Sequence, residues 1–444
     1  MPETGFSEQN KNDAGACSLL HCRACFWDVL YLKNKSVYHW LIVAACSGLA
    51  MAAIGISINC AGIFFAVVSA DLGVGRGDIS VTVTLTNVVT GLMGPFAASR
   101  LFGRVPIKLL TGIGSGVTAL CFAGMAAANH IVVLYVLSTL MGIVITCYSN
   151  VAITYIIGNW FLEKNGVAMG ITMSCSGLGG AVFNPLLSAA IEAFGWRAAY
   201  LVAAGLVVLL TLPGVLFVIR ERPEDKGLLP YGASRGIAPA SGRHAGGEKS
   251  RLSFGSATFL VTVAFSVLVY AISGFNAQVS GFATSIGLSP AVGALMVSAS
   301  MIGNVVFKLL IGVLSDAFGA PKACGVMMLL NVIGMSVFAF LPVGGDAVAM
   351  ASAFLYGSIY SVSAVGIPLV VRYVYGPRMQ SVAYSYISLF ACISSSCTMT
   401  GFGYSYDVFG TYRVGILASV AMAVVVLLLA LFLKKIRTPE AAVQ

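Results

Sequence analysis

Arg220-Glu221-Arg222-Pro223-Glu224-Asp225-Lys226 is the densest run of charge in the chain, and an apolar segment lies on either side of it. The polar stretch continues from Arg220 to Phe254 through a Gly/Ala/Ser-rich region with Arg235, Arg243 and Arg251, a composition suited to a flexible connector. Membrane-crossing helices need about 20 mainly apolar residues. Before the connector such segments read at 39–69, 77–99, 107–128, 131–158, 166–192 and 198–219. After it they read at 256–285, 290–314, 321–341, 347–372, 380–406 and 413–434. The expectation is an all-α membrane protein of twelve transmembrane helices in two six-helix, pseudo-symmetric bundles. Its parts are a tail over 1–38, a bundle over 39–219, a connector over 220–255, a second bundle over 256–434 and a tail over 435–444.

Composition points the same way. Of 444 residues 58% are hydrophobic and 9% charged, whereas a soluble domain carries about 25% charged residues. The apolar surplus must face lipid. Fifty glycines suit helices that approach closely. The net charge of +9 is spread between apolar segments, which argues against nucleic acid and for the positive-inside rule. With both termini placed on the cytoplasmic side of the cell membrane, 21 of the 25 Lys and Arg residues fall in cytoplasmic segments. Arg76, Arg197 and Arg413 fall outside, and Lys308 falls within a span.

Eight of the eleven cysteines, among them Cys121, Cys147 and Cys392, sit in apolar runs as small hydrophobes. Cys17, His21, Cys22 and Cys25 crowd the N-terminal tail, but no second pair follows at zinc-finger spacing, so no metal is expected. The polar opening before Trp40 has no cleavable-signal pattern.

A faint internal repeat supports two halves. Ser99-Arg100-Leu101-Phe102-Gly103-Arg104 after span two parallels Ser315-Asp316-Ala317-Phe318-Gly319-Ala320 after span eight. Tyr148-Ser149 parallels Tyr360-Ser361. Duplicated halves with a substrate site between them are a recurring transporter plan.

Gly312-Val313-Leu314-Ser315-Asp316-Ala317-Phe318-Gly319-Ala320-Pro321-Lys322 resembles the loop signature of the major facilitator superfamily. That resemblance implies a conformational latch made by Gly312, Asp316, Gly319 and Lys322, with Asp316 facing the N-terminus of the next helix. Arg100 stands at the first-half position where the signature has its aspartate. Asn159-Trp160-Phe161-Leu162-Glu163-Lys164-Asn165-Gly166, then Ser176-Gly177-Leu178-Gly179-Gly180 and Gly195-Trp196-Arg197, are similar to spans four to six of the oxalate/formate-antiporter and monocarboxylate-transporter branches. Arg372-Tyr373, Gly376 and Arg378 resemble the link from span ten to eleven in the same branches.

Lys308 is the one clearly intramembrane charge, and the core spans hold no Asp or Glu to pair with it. Charge at that depth normally faces a cavity or a partner. Asn304 is one turn away on the same face. The resembling branches keep a basic residue in this slot to bind the substrate carboxylate. The bland alternative is that Lys308 snorkels to the nearby interface. Asn59, Tyr148, Asn150, Tyr360 and Tyr384 complete the candidate substrate-binding set, with interhelical hydrogen bonding as the competing role. Thr82, Thr84, Thr86 and Thr90 in span two read as packing residues.

The expected function is secondary transport of a small organic anion, a mono- or dicarboxylate, by alternating access, as an antiporter or an ion-coupled symporter. Two alternatives stand beside it: a carrier of a neutral or cationic compound with Lys308 structural, and a membrane sensor on the same scaffold. No Walker sequence or His-Glu-x-x-His occurs, so neither catalytic residues nor a cofactor are expected. The expected partners are the lipid bilayer and a small-molecule substrate. A coupling proton or sodium ion stays open.

Overall fold

The computed structural model describes residues 35–233, 256–341 and 345–433. The tail cysteines Cys17, Cys22 and Cys25 and the connector arginines Arg235, Arg243 and Arg251 lie outside the described residues. Among those described, ten helical runs are long and apolar enough to cross a membrane. Two of them, Asn165–Val218 and Gly345–Ser395, are more than 50 residues long, about twice what one crossing needs. Each is broken at a glycine in the left-handed half of backbone space, Gly195 (φ 82°, ψ 165°) and Gly376 (φ 76°, ψ 168°). A side chain is disfavoured there, so glycine permits the reversal that turns one run into two spans. The result is twelve spans. The seventh begins at Ala257–Ser273 and continues through a tight turn of 3-10 helix, Gly274–Gln278, into Val279–Ser285.

Large apolar side chains such as Leu120 (70% exposed), Phe194 (76%) and Phe340 (72%) point outward, as lipid-facing residues do. Within the first half, spans two and four are joined by hydroxyls. Thr86 donates to the carbonyl of Ser138 at 3.1 Å, Thr90 to that of Gly142 at 2.9 Å, and Thr146 to that of Thr90 at 3.2 Å. Thr86 and Thr90 therefore pack and also cross-link, whereas Thr84 is exposed. The repeated Tyr-Ser pair marks a matching irregularity in each half. Tyr148-Ser149 interrupts span four between Ile131–Ile145 and Asn150–Trp160, and Tyr360-Ser361 ends a short helix before the π-helical turn Val362–Gly366 of span ten.

The first part of the connector is docked on the first half. Trp160 donates its indole N–H to Arg220 O, Asn159 donates to Glu221 O, and the Tyr155 hydroxyl donates to the Glu221 carboxylate at 2.7 Å. Further on, Tyr231 N–H donates to Trp160 O, and the N–H groups of Leu162 and Glu163 donate to Tyr231 O. The Tyr231 ring sits among His39, Trp40 and Phe161. The composition of 220–233 is polar enough for a free loop, but these backbone bonds and the aromatic cluster hold it.

Candidate substrate site and interface latch

The two halves meet along span five (165–194) and span eight (Pro290–Phe318), and along spans two and eleven. The first of these seams is lined with glycine. A β-carbon on Gly312 would collide with the Gly166 carbonyl oxygen, and one on Gly170 would stand 2.6 Å from Lys308 O. Glycine at both positions lets the backbones touch, which is where much of the attraction between membrane helices comes from. Across the other seam Gly91 faces Cys392 and Gly94 faces Ser385.

At the end of the glycine seam Asp316 reaches into the other half. Its Oδ1 accepts from Gly166 N–H at 2.7 Å and its Oδ2 from Val167 N–H at 2.8 Å. These are among the first N–H groups of the helix starting at Asn165, which have no intrahelical acceptor, and a carboxylate also meets the positive end of the helix dipole. The helix after the signature, Ala320–Phe340, is not the one that Asp316 faces, contrary to the sequence expectation. The reason is directional: Gly319 (φ 88°) turns the chain sharply, and the Asp316 side chain points across the interface instead of along its own chain. Of the other expected latch residues, Gly312 forms the close contact and Gly319 the turn. Lys322 and Arg100 are exposed, and Arg100 forms no ion pair among the described residues.

Arg372 completes the arrangement. Its guanidinium donates to Phe161 O at 2.8 Å, to Gly158 O at 3.1 Å and to Gln380 Oε1 at 3.3 Å. Gly158 lies in, and Phe161 just after, the helix Asn150–Trp160, whose last carbonyls lack intrahelical donors. The corner between spans four and five is thus held twice from the second half, by an anion on the helix that starts there and by a cation on the helix that ends there. In sequence Arg372 carries no sign of this role, because at the end of an apolar run it reads as one more inside charge.

Deeper in the membrane Lys308 is buried (4% exposed), and its Nζ donates to Met173 O and to Ser176 Oγ, both at 3.2 Å. Both acceptors lie in span five of the opposite half. They are further from the latch than Gly170, which abuts Lys308's own backbone. The amine therefore points into the membrane, away from the interface to which it would snorkel. Arg197 pairs with Asp71, whereas Lys308 forms no ion pair among the described residues. Asn59 of span one donates to Ser176 O at 3.2 Å, and the Asn304 amide packs against Gly177. Lys308, Asn304 and Asn59 thus converge on Ser176-Gly177. Ser176 itself was visible in sequence only as part of a small-residue run.

The remaining candidates spread out. Gly357 packs against the backbone of Ser300 and Asn304, which brings Tyr360, three residues on, to the same side of span ten. The oxygens Asn304 Oδ1, Asn150 Oδ1 and Tyr360 Oη are buried with no hydrogen-bond partner among the described residues; such groups want a ligand or a water. Tyr148 is fully buried against Gly114 of span three, and its Oη is likewise buried with no hydrogen-bond partner among the described residues. Tyr384 is buried within span eleven.

Known proteins share this architecture. The Major Facilitator Superfamily model matches residues 42–285 and 254–444. The chain is 25% identical over 305 residues to an oxalate:formate antiporter of Oxalobacter formigenes, which covers 66% of this chain and 68% of that one. It is 29% identical over 181 residues to monocarboxylate transporter 12 of Homo sapiens, covering 40% of this chain and only 34% of the relative. Among solved structures, the proton:xylose symporter XylE matches with a TM-score of 0.70 at 16% identity over 90% of this chain and 96% of the other. FucP in the outward conformation matches with a TM-score of 0.65 at 14% identity over 88% and 98%. Twelve spans in two halves, a superfamily match along nearly the whole described chain and transporter relatives leave one conclusion: the protein is a multi-pass membrane transporter, not an enzyme, and belongs to the Major Facilitator Superfamily.

Proposed function

We propose that the protein carries a small organic anion by alternating access, with Lys308 as the contact for the substrate carboxylate. The observation that carries this reading is Lys308 itself: a buried ammonium between the halves, donating to a carbonyl and a hydroxyl with no carboxylate beside it. Neutral acceptors leave its charge uncompensated, and uncompensated charge at membrane depth is expensive. An arriving carboxylate neutralises it and takes over the donors now spent on Met173 and Ser176. Asn304, Asn59 and the orphaned hydroxyl of Tyr360 supply further polar contacts. The oxalate:formate antiporter and monocarboxylate transporter relatives support the anionic class.

The latched side is the cytoplasmic face of the cell membrane, with both termini on it, because nearly all the Lys and Arg residues lie there. The chain is then closed to the cytoplasm in this conformation. Exchange of one anion for another, or symport with a proton or sodium ion, drives the cycle.

The test is ligand binding to the purified chain. A panel of mono- and dicarboxylates, sugars and amino acids is screened by thermal shift, since a ligand of the folded form raises its stability. A carboxylate should stabilise the wild type. Lys308→Met should bind it roughly ten- to hundredfold more weakly, the value of a charge-assisted hydrogen bond, and Lys308→Arg should recover part of the affinity. Equal affinity in the wild type and Lys308→Met, or stabilisation by a sugar alone, would leave Lys308 a structural link between the halves.

A further inference from the structure

A recess of about 460 Å³ lies outside the substrate pathway, on the latched face of the first half. Gly103-Arg104-Val105-Pro106 form one wall, Ile107 and Lys108 at the start of span three another, and Arg220, Glu221 and Asp225 the third. Three of these side chains are basic and two acidic, which leaves one positive charge in excess, and each acid already accepts a hydrogen bond. Glu221 accepts from Tyr155 and Asp225 accepts from Arg222 N–H. Lys108 and Arg220 each donate to one backbone carbonyl, Leu216 O at 2.8 Å and Ile219 O at 2.9 Å. An ammonium has three donors and a guanidinium five, so both keep N–H groups for a ligand. Arg104 is exposed at the rim. The 20-residue helix Ile107–Ala126 begins in the wall and turns its positive end toward the recess.

What lies next to the recess decides the class of ligand. Leu109 (52% exposed) and Ile113 (54%) on span three, with Leu216 (44%) and Phe217 (68%) on span six, form a lipid-facing flank immediately beyond the charged rim. A free anion gains nothing from that flank. A phospholipid gains from both parts, its phosphate among the bases and its acyl chains along the apolar wall. The volume is in the range of small-ligand sites and suits a headgroup.

We propose that this recess binds the headgroup of an anionic phospholipid, gripped by Arg104, Lys108 and Arg220 where spans three and six reach the membrane surface. It lies within the first half, beside Glu221 and Tyr155, which fasten the connector to span four. Occupancy would thus stiffen the same end of span four that Arg372 grips.

The full-length chain is purified in detergent, and bound dioleoyl-phosphatidylglycerol and dioleoyl-phosphatidylcholine are counted by native mass spectrometry. The wild type should retain phosphatidylglycerol in preference to phosphatidylcholine. Each base removed should lower that retention about fivefold, the value of one basic contact with an anionic lipid surface. Arg104→Gln should thus lose about fivefold, and Arg104→Gln with Lys108→Gln about twenty-fivefold. Arg104→Gln is the safe variant for folding, since its side chain is exposed. Lys322→Gln, an exposed base elsewhere on the same face, should lose nothing. Equal retention of both lipids overturns the site. So does an equal loss in Lys322→Gln, which would mean a diffuse positive face. Displacement of the lipid by millimolar inorganic phosphate overturns it in favour of a free-anion site.

Discussion

Asp316 accepts a hydrogen bond from the backbone of Gly166 at 2.7 Å, and the two residues belong to opposite halves of the transporter. The contact is therefore made of one side chain and two backbone groups, so only its acidic partner can be removed by substitution.

Asp316→Asn keeps one acceptor oxygen and puts an amide NH2 against an N–H group. A hydrogen bond to a charged group contributes about 1.5–3 kcal/mol, so closure of this face should weaken by about tenfold or more. A cysteine at Met169, buried behind the latch, should react correspondingly faster with a small thiol reagent. An unchanged reaction rate would remove Asp316 from the latch.

Arg372→Lys preserves the charge but replaces a planar fork, whose two nitrogens reach Gly158 O and Phe161 O separately, with a single donor atom on a shorter reach. Opening of the face should again be favoured. Because Asp316 and Arg372 hold the same corner, the double variant should be non-additive by about 1 kcal/mol in a mutant cycle. Strict additivity of the two thiol-reaction rates would show that the two contacts act independently.

Gly312→Ala tests the seam rather than the latch. Its methyl group would strike the Gly166 carbonyl, and overpacking of this kind costs roughly 1–3 kcal/mol. The clash lies between halves, so each half should keep its fold while closure fails. Transport should fall about tenfold, with a shift in melting temperature of only a few degrees. A large loss of folded protein would place the effect within one bundle.

Orientation can be read by labelling whole cells with an impermeant thiol reagent, after replacing the exposed Cys397 with Ser. Glu192→Cys, exposed at the end of span five away from the latch, should be modified from outside. Lys322→Cys should be protected until the cells are opened. The reverse pattern would place the latched face outside and undo the assignment of both termini to the cytoplasm.

Some of this was legible in the sequence and some was not, for physical reasons. Apolar length and charge alternation report directly on a bilayer, so the twelve spans could be read. Asp316 could be picked out because an acid beside a tight turn is conspicuous. Its partner could not, since a backbone N–H leaves no residue signature and Gly166 lies 150 positions away. Arg372 and Ser176 were hidden for the same reason: their partners are carbonyls and a lysine from other spans. Tyr148 stands out in sequence because a phenol in an apolar run is unusual, but that Gly114 makes room for its ring leaves no sequence signature. Residues 220–233 read as a free connector because their docking rests mainly on backbone bonds.

Glycine at positions 166, 170 and 312 has a thermodynamic consequence. A seam of interdigitated leucines or methionines would freeze rotamers each time it formed. Glycines have none to lose, so side-chain ordering contributes little where these backbones touch. What remains is mostly dispersion and hydrogen bonding, together with a small change in lipid-exposed area. The balance between open and closed forms should then be governed largely by enthalpy at this contact, and warming should favour the open form.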